Sequence, residues 1–279
     1  MNQHDSFIKY DSDEMARIVA HFMADPEVCS AIMLAEKLIN DFDQGILEGC
    51  PISSSSANQM RLFRFVIPFF DCRRRIDGTA IVPLEVAASL LWFLVWRPLD
   101  NILDGDGLRS ENCAALLQAF SRAERFQIFH FGLDHALCDL AAQGVSNAMF
   151  ELDTDGRANP DLIFTRALVQ ETPFSSFSNT SNETRESYRR YINAYGLLHD
   201  AMDIFRDISA GQTTPVTEIA GSIGGTLHYS PHSMRSFEER LVTEVLRQYS
   251  LINRAARSEE SIVYWNVNGH YKWFTGRDI

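Results

Sequence analysis

The sequence predicts an all-α protein, and three observations carry that prediction. Apolar residues recur every three or four positions in most segments, which places them on one face of a helix. Few segments alternate apolar and polar residues, and no Asn-Gly or Asp-Gly turn joins two β-branched runs. The chain has 279 residues, 46% of them hydrophobic, which is enough for one sizeable core. Because no shift in composition marks a boundary, we predict one helical bundle over residues 1–279.

The predicted helices are limited by the ends of each periodic segment. The helix predicted over Glu183–Ser209 has the clearest limits, because Thr180 to Glu183 has capping-box spacing and Gly211 and Pro215 follow its end. In chain order, the predicted helices cover Met15–Met23, Glu27–Phe42, Ser55–Ile67, Leu84–Leu103, Glu111–Phe120, Glu124–Gln143, Leu162–Gln170, Glu183–Ser209, Ser236–Arg257 and Ser261–Trp265.

The most apolar run of the chain is Ala80–Trp96. It is shorter than the roughly 20 apolar residues that a membrane span needs, so we interpret it as a buried helix and expect no stable membrane insertion. Pro98 follows, and proline inside a helix removes a hydrogen bond and clashes with the preceding turn. Whether the helix kinks or a new turn begins there, Asp100 and Asp104 lie near a helix end.

Charge and cysteine content narrow the function classes. The formal net charge of −12 is a poor match for nucleic acid or an anionic membrane surface. The five cysteines include no Cys-x-x-Cys pair, which favours free thiols in a reducing compartment. The N-terminus has no basic region followed by an apolar run, so we expect a cytoplasmic protein without a secretory signal.

Two acidic clusters contain carboxylates at helical spacing. Asp100 and Asp104 form one pair, and Asp203 and Asp207 form the other. Carboxylates at positions i and i+4 lie about 5–6 Å apart on one helix face and repel each other. Two such pairs that face each other would bind divalent cations, and Mg²⁺ held by few carboxylates completes its shell with water and phosphate oxygens. The spacing therefore predicts a magnesium–diphosphate site at the mouth of an apolar cavity.

An aromatic face leads into each cluster. Back from Asp100, the same helix face carries Trp96 and Phe93, and back from His199 it carries Tyr195. Charge on an ordinary surface helix lies opposite the apolar stripe, so this arrangement favours a cavity that ends in acids. The alternative for the first cluster is an acidic loop at a helix end.

Gly196 and Arg206, both within the second segment, each have two interpretations. A glycine in mid-helix costs about 1 kcal/mol against alanine, so Gly196 indicates either room for a ligand or a tight helix crossing. Arg206 either pairs with Asp203 or Asp207 on an exposed helix, or binds phosphate as a charged fork.

The second cluster resembles the second metal-binding motif of class I terpene synthases, Asn-Asp-x-x-Ser-x-x-(Lys/Arg)-Glu. The metal-binding first, fifth and ninth positions are His199, Asp203 and Asp207 here, and Arg206 matches the basic position. Histidine replaces asparagine at the first position, and imidazole is a less natural Mg²⁺ ligand than an amide oxygen.

Two further motifs extend the resemblance. Asp100 and Asp104 match the first and fifth places of the family's Asp-rich motif. The family's C-terminal pattern, Gly-Asn, Trp and then Thr-x-Arg-Tyr, is similar to Gly269-His270, Trp273 and Thr275-Gly276-Arg277-Asp278, with aspartate in place of the tyrosine.

The resemblance implies the class I isoprenoid synthase fold and a Mg²⁺-dependent cyclase that ionises a linear prenyl diphosphate, farnesyl or geranylgeranyl diphosphate above all. Arg206 and Arg277 would grip the diphosphate, and Arg166, or else Arg157, would sense it from upstream. The oligomeric state stays open between a monomer and a homodimer. The implied metal ligands are Asp100, Asp104, His199, Asp203 and Asp207. The implied pocket lining is Phe93, Trp96, Tyr195, Gly196 and Trp273.

Two alternatives to the cyclase remain open. A prenyltransferase would need a second, basic pocket, for which the run Arg73-Arg74-Arg75 is a candidate; such a run is more often a solvated corner. A non-catalytic helical protein of the same fold is the other alternative, and His199 and Asp278 favour it.

Overall fold

The structure is a computed structural model that describes residues 3–42, 61–90, 92–93, 143, 167–175, 177, 179–211, 214–223 and 231–279. Helices account for 80% of the residues that it describes, and no strand occurs among them. The predicted all-α class is therefore confirmed. The finer prediction of a class I isoprenoid synthase fold remains a prediction.

The described helices are numbered in chain order. Two short turns of different geometry accompany them, a π-helical turn directly before α3 and a 3₁₀ turn after a short helical segment over 167–171. The elements are α1 (Gln3–Phe22), α2 (Pro26–Phe42), the π turn (Leu62–Val66), α3 (Ile67–Asp77), α4 (83–90 and 92–93), the 3₁₀ turn (Thr172–Phe174), α5 (Asn182–Ala210), α6 (Pro215–Gly221), α7 (Pro231–Ser250) and α8 (Ile262–Thr275).

The limits of α2 and α5 agree with the prediction to within one residue. The N-cap of α5 is Ser181 rather than Thr180, because the Ser181 hydroxyl accepts a hydrogen bond from the Thr184 backbone N–H at 3.1 Å. Gly211 ends α5 with φ of 68°, a left-handed conformation that glycine adopts without strain.

Other predicted limits were wrong. The helix expected to end at Ile67 continues as α3, because Pro68 lies in its first turn, where a missing N–H costs no helical hydrogen bond. Helices α1 and α8 are longer than predicted. Helix α7 begins at Pro231 and ends at Ser250, and the residues up to Arg257 that were predicted as helix form turns.

Helix α5 runs antiparallel to the π turn and α3. Near its start, the Thr184 hydroxyl donates to Asp77 Oδ2 at 2.9 Å, at the end of α3. About two turns later on α5, the Tyr191 hydroxyl donates to the Arg64 carbonyl of the π turn at 2.6 Å. The C-terminal end of α5, which carries Asp203, therefore lies beyond the π turn; we call this the Asp203 end of the bundle.

Helix α8 runs parallel to α5. Its first backbone N–H, at Ile262, donates to Asp71 Oδ2 in α3 at 3.3 Å, and Asn266 donates to the Phe63 carbonyl of the π turn at 2.9 Å. Helix α8 is therefore antiparallel to α3 and the π turn, as α5 is. The C-terminal end of α8 lies at the Asp203 end.

Helix α4 is directed toward the same end. Glu85, in its first turn, forms an ion pair with Arg73 of α3, whereas the Phe93 ring stacks on Phe65 of the π turn with centroids 5.6 Å apart. The described part of α4 thus leads from α3 toward the π turn and the Asp203 end.

The three arginines of the basic run before α4 form ion pairs with carboxylates. Arg73 is 1% exposed and pairs with Glu85, while both Arg74 and Arg75 pair with the buried Asp71. These ion pairs hold α3 to its neighbours.

No single helix within the described ranges is both long and apolar enough to cross a membrane. The helical segments Ser12–Phe22 and Pro26–Ala35 reach that length and apolar composition only when they are taken together, and they are bent by 108° relative to each other. Of the five cysteines, Cys29 and Cys72 lie within the described residues, and both carry free thiols.

Candidate functional site

The C-terminal half of α5 presents four predicted site residues at steps of four positions. Tyr195, His199, Asp203 and Asp207 thereby follow one side of the helix from the core toward its end. Tyr195 is buried, whereas the side chain of Asp203 is 31% exposed. The helix thus leads from the bundle interior to an acidic rim.

Arg206 is engaged by the two carboxylates of that rim. Its Nη2 lies 3.0 Å from Asp203 Oδ2, and its Nε lies 3.6 Å from Asp207 Oδ1. The Arg206 side chain is 69% exposed, so these contacts are worth only a few tenths of a kcal/mol. Of the two interpretations of Arg206, the structure therefore shows the ion pair with the aspartates. The contacts of Arg206 with Asp203 and Asp207 are weak enough for the guanidinium to exchange partners.

Asp207 lies in surroundings that disfavour its charge. Burial raises the pKa of this carboxyl, the neighbouring carboxylate of Asp200 raises it further, and Arg206 lowers it only in part. A bound cation would relieve this repulsion. Mg²⁺ prefers oxygen ligands, and Asp203 and Asp207 supply carboxylate oxygens. These two residues of α5 therefore fit the metal that the resemblance implies.

An imidazole–phenol cluster lies inward of the carboxylates. The His199 ring stacks parallel on Tyr195 at 5.9 Å between centroids and 10° between planes. His270 of α8 meets the same tyrosine edge-on at 4.9 Å, and the two imidazoles are 6.3 Å apart. The Arg64 guanidinium carbon lies 5.9 Å from the centroid of the Tyr195 ring. Sequence reasoning assigned no role to Arg64, which is only 4% exposed.

The π turn explains how Arg64 reaches this cluster. Three successive backbone carbonyls of the turn accept hydrogen bonds from side chains of α5 and α8. These are Phe63 from Asn266 at 2.9 Å, Arg64 from Tyr191 at 2.6 Å and Phe65 from Tyr188 at 2.9 Å. Single π turns inside helices are frequent at functional sites, because the wider turn redirects side chains.

An aromatic path joins α4 to the cluster. Phe93 stacks on Phe65, and Phe65 meets Tyr195 edge-on with centroids 6.3 Å apart. Phe93 and Tyr195, two predicted pocket-lining residues about a hundred positions apart in the chain, are therefore separated by one ring.

Gly196 borders open space. A Cβ added there would meet no heavy atom of the described residues within 4 Å, so none of the described helices crosses α5 tightly at this glycine. One turn earlier on α5, Asn193 is 3% exposed, and neither atom of its side-chain amide has a hydrogen-bond partner. A buried amide that lacks partners is costly, which favours a polar group of a ligand or water beside it.

The C-terminal motif is divided, because His270 belongs to the cluster at Tyr195 whereas the residues from Trp273 onward lie further along the chain. Trp273 is half-buried on the last turns of α8, and Arg277 is exposed beyond it. Within the part of the chain that the structure describes, Arg277 forms no ion pair. Asp278, which replaces the expected tyrosine, binds Lys272 at 3.0 Å. Arg277 is thus placed at the right end of the bundle without contacting the acidic residues.

Four of the predicted residues, together with the alternative Arg157, lie outside the described residues: Asp100, Asp104, Trp96 and Arg166. Among the residues that are described, no group of three or more His, Cys, Asp or Glu side chains is arranged to hold a metal ion. The predicted metal site, which needs both acidic clusters, therefore stays a prediction.

Comparison with protein-family models, with curated proteins and with solved structures finds no match to this chain.

Proposed function

We propose that this protein is a class I terpene cyclase that ionises and cyclises a linear prenyl diphosphate, farnesyl or geranylgeranyl diphosphate, with Mg²⁺. One observation carries the proposal. A single helix, α5, joins a buried aromatic cluster at Tyr195 to an acidic rim at Asp203 and Asp207, and the aromatic helix α4 leads toward the same end. A prenyl diphosphate has the same two parts, an apolar chain and a polyanionic head.

The acidic residues would hold the metal. Asp203 and Asp207, with His199, would bind it from α5, and Asp100 and Asp104 would bind it from the segment that follows α4. When bound, Mg²⁺ would neutralise the negative charge that develops on the departing diphosphate.

Arg206 would exchange its partners when substrate arrives. In the structure it binds Asp203 and Asp207 through weak, exposed contacts. With a metal held by those carboxylates, the guanidinium of Arg206 would be free to donate to diphosphate oxygens as a charged fork. Arg277, exposed at the same end, would add a second fork when the site closes and excludes water.

The aromatic residues would stabilise the carbocation. The ring faces of Tyr195 and Phe93 carry negative quadrupoles that attract a cation, and Phe65 lies between them. The open space beside Gly196 would accommodate part of the prenyl chain.

Among the described residues, the basic run suggested for the transferase alternative is not available to a second diphosphate. A chain-elongating enzyme needs cations for a second diphosphate, but Arg73, Arg74 and Arg75 are already paired with carboxylates, and Arg73 is buried. The non-catalytic alternative has one observation in its favour, because Arg206 already satisfies Asp203 and Asp207 without a metal.

The test is incubation with geranyl, farnesyl and geranylgeranyl diphosphates and Mg²⁺, followed by gas chromatography of the extract and an assay of released diphosphate. Cyclic hydrocarbons or alcohols support the cyclase. Product that forms only when an acceptor is added indicates a transferase, and no diphosphate release with any substrate indicates the non-catalytic protein.

A matched pair of variants ties activity to the rim. Asp203→Asn removes the negative charge of a proposed metal ligand and an exposed ion pair on α5, and Glu239→Gln removes an exposed ion pair with Arg235 on α7. We expect Asp203→Asn to reduce turnover at least a hundredfold and Glu239→Gln to leave it unchanged. Equal activity of the two variants would remove the rim from the mechanism.

A further inference from the structure

A second site lies at the opposite end of the bundle. A cleft of about 460 Å³ opens between the end of α7, the turns over 251–261 and the first half of α8. Asn253 in those turns binds Ser187, near the start of α5, at 3.2 Å. At 1.5 Å per residue, the distance along α5 from Ser187 to Asp203 is roughly 24 Å. The cleft is therefore separate from the acidic rim.

Two arginines that have no carboxylate partner line this cleft. Arg254 and Arg257 both border it, and neither forms an ion pair with any residue that the structure describes. The Nε of Arg257 is buried and has no hydrogen-bond acceptor. In a chain with a net charge of −12, arginines usually find carboxylates, as Arg73 and Arg75 do. A buried guanidinium N–H without an acceptor is costly, so an anion bound beside Arg257 would be favourable.

The rest of the lining suits an anionic ligand that has an apolar part. The Tyr249 hydroxyl donates to the Arg257 carbonyl at 3.0 Å, which fixes the backbone that carries the arginine. Tyr264 and Ile279 supply apolar surface, and Ser258 supplies a hydroxyl. The cleft is larger than a lone phosphate ion, and its volume lies within the range of small-molecule sites.

We propose that this cleft binds a phosphate monoester, with the phosphate held by the guanidinium groups of Arg254 and Arg257 and the organic part against Tyr249 and Tyr264. Glu259 also borders the cleft, and its carboxylate repels the phosphate. Removal of that charge should therefore tighten binding, whereas removal of either arginine should weaken it.

The experiment is titration calorimetry of the full chain with phenyl phosphate and with inorganic phosphate, at constant ionic strength set by chloride. EDTA is present throughout, because phosphate binding at the acidic rim depends on a metal. We expect saturable binding of phenyl phosphate, tighter than that of inorganic phosphate. Arg254→Gln and Arg257→Gln should each weaken it at least tenfold, and Glu259→Gln should tighten it about threefold.

Controls separate a site from general electrostatics. Arg235→Gln removes an exposed arginine near the start of α7, roughly 21 Å along the helix axis from Tyr249, and should leave binding unchanged. Arg257→Lys keeps the charge and should retain part of the affinity, which covers the outcome that Arg257→Gln fails to fold. The proposal would be overturned if phenyl phosphate binding did not saturate, or if a titration with chloride alone gave the same heat. It would also be overturned if the Arg254 and Arg257 variants bound phenyl phosphate as tightly as the wild type. The outcome is independent of prenyl diphosphate turnover.

Discussion

Replacement of Gly196 by alanine tests whether the space beside α5 serves a ligand. Gly196 is an interior residue of α5, and an added Cβ meets no heavy atom within 4 Å. The substitution therefore adds a methyl group that clashes with none of the residues that the structure describes.

The expected change in stability follows from helix propensity. Alanine is more favourable than glycine in a helix interior by about 0.8–1.0 kcal/mol, and no steric term offsets this gain. For a chain of this size we expect a rise of about 2–4 °C in Tm. Gly269→Ala is the matched control, because there the new Cβ would lie 2.8 Å from Glu14 Oε1. Glu14 must move aside, so this variant should gain less.

Turnover is measured beside thermal unfolding. If the space accommodates part of a prenyl chain, Gly196→Ala raises Tm and lowers turnover of the longest accepted substrate by at least tenfold. A fall in Tm would show that Gly196 packs against another element, which would refute the open-space interpretation. A rise in Tm with unchanged turnover would remove Gly196 from the substrate pocket.

Three other variants test the electrostatics and the core. Asp207→Asn should raise Tm at pH 7, because the pKa of Asp207 in the folded state is raised above its ordinary value of 3.8. Ionisation of this carboxyl therefore destabilises the folded wild type as pH rises above 3.8. In acid the carboxyl is neutral, so the higher Tm of the variant should vanish there. Added Mg²⁺ should raise the Tm of the wild type more than that of this variant. Tyr191→Phe should cost about 1–3 kcal/mol in urea unfolding, since the Arg64 carbonyl loses its 2.6 Å donor. Arg73→Met should cost about 3 kcal/mol by the same measurement, because Glu85 loses its buried partner; equal stability would show that the pair is dispensable.

The sequence was sufficient where local chemistry determines structure. The limits of α5 follow from a hydroxyl N-cap and from Gly211 in a left-handed conformation, and both signals are visible in the residues. The end of α7 was missed because the Asn253 side chain accepts a hydrogen bond from the Ala255 N–H at 2.8 Å. Such a local turn competes with the helix, although the apolar periodicity continues through it.

The π turn and Arg64 were beyond the reach of sequence patterns. The carbonyls of the turn are satisfied by Tyr188, Tyr191 and Asn266, which are more than a hundred residues away in the chain. Those distant donors stabilise the turn by satisfying its carbonyls. The burial of Arg64 depends on the same tertiary contacts, so periodicity alone would predict a surface arginine.

The two proposed roles of Arg206 exclude each other at any instant, and this has a consequence for the acidic rim. While Arg206 binds Asp203 and Asp207, it offsets one of their two negative charges, so the rim attracts a free cation less strongly than two unpaired carboxylates would. A diphosphate that arrives with its cations offers the carboxylates a stronger partner and offers the guanidinium a stronger acceptor, so both exchanges are favourable together. The rim should therefore bind Mg²⁺ and diphosphate cooperatively, and Arg206→Gln should strengthen Mg²⁺ binding alone while it weakens binding of the Mg²⁺–diphosphate pair.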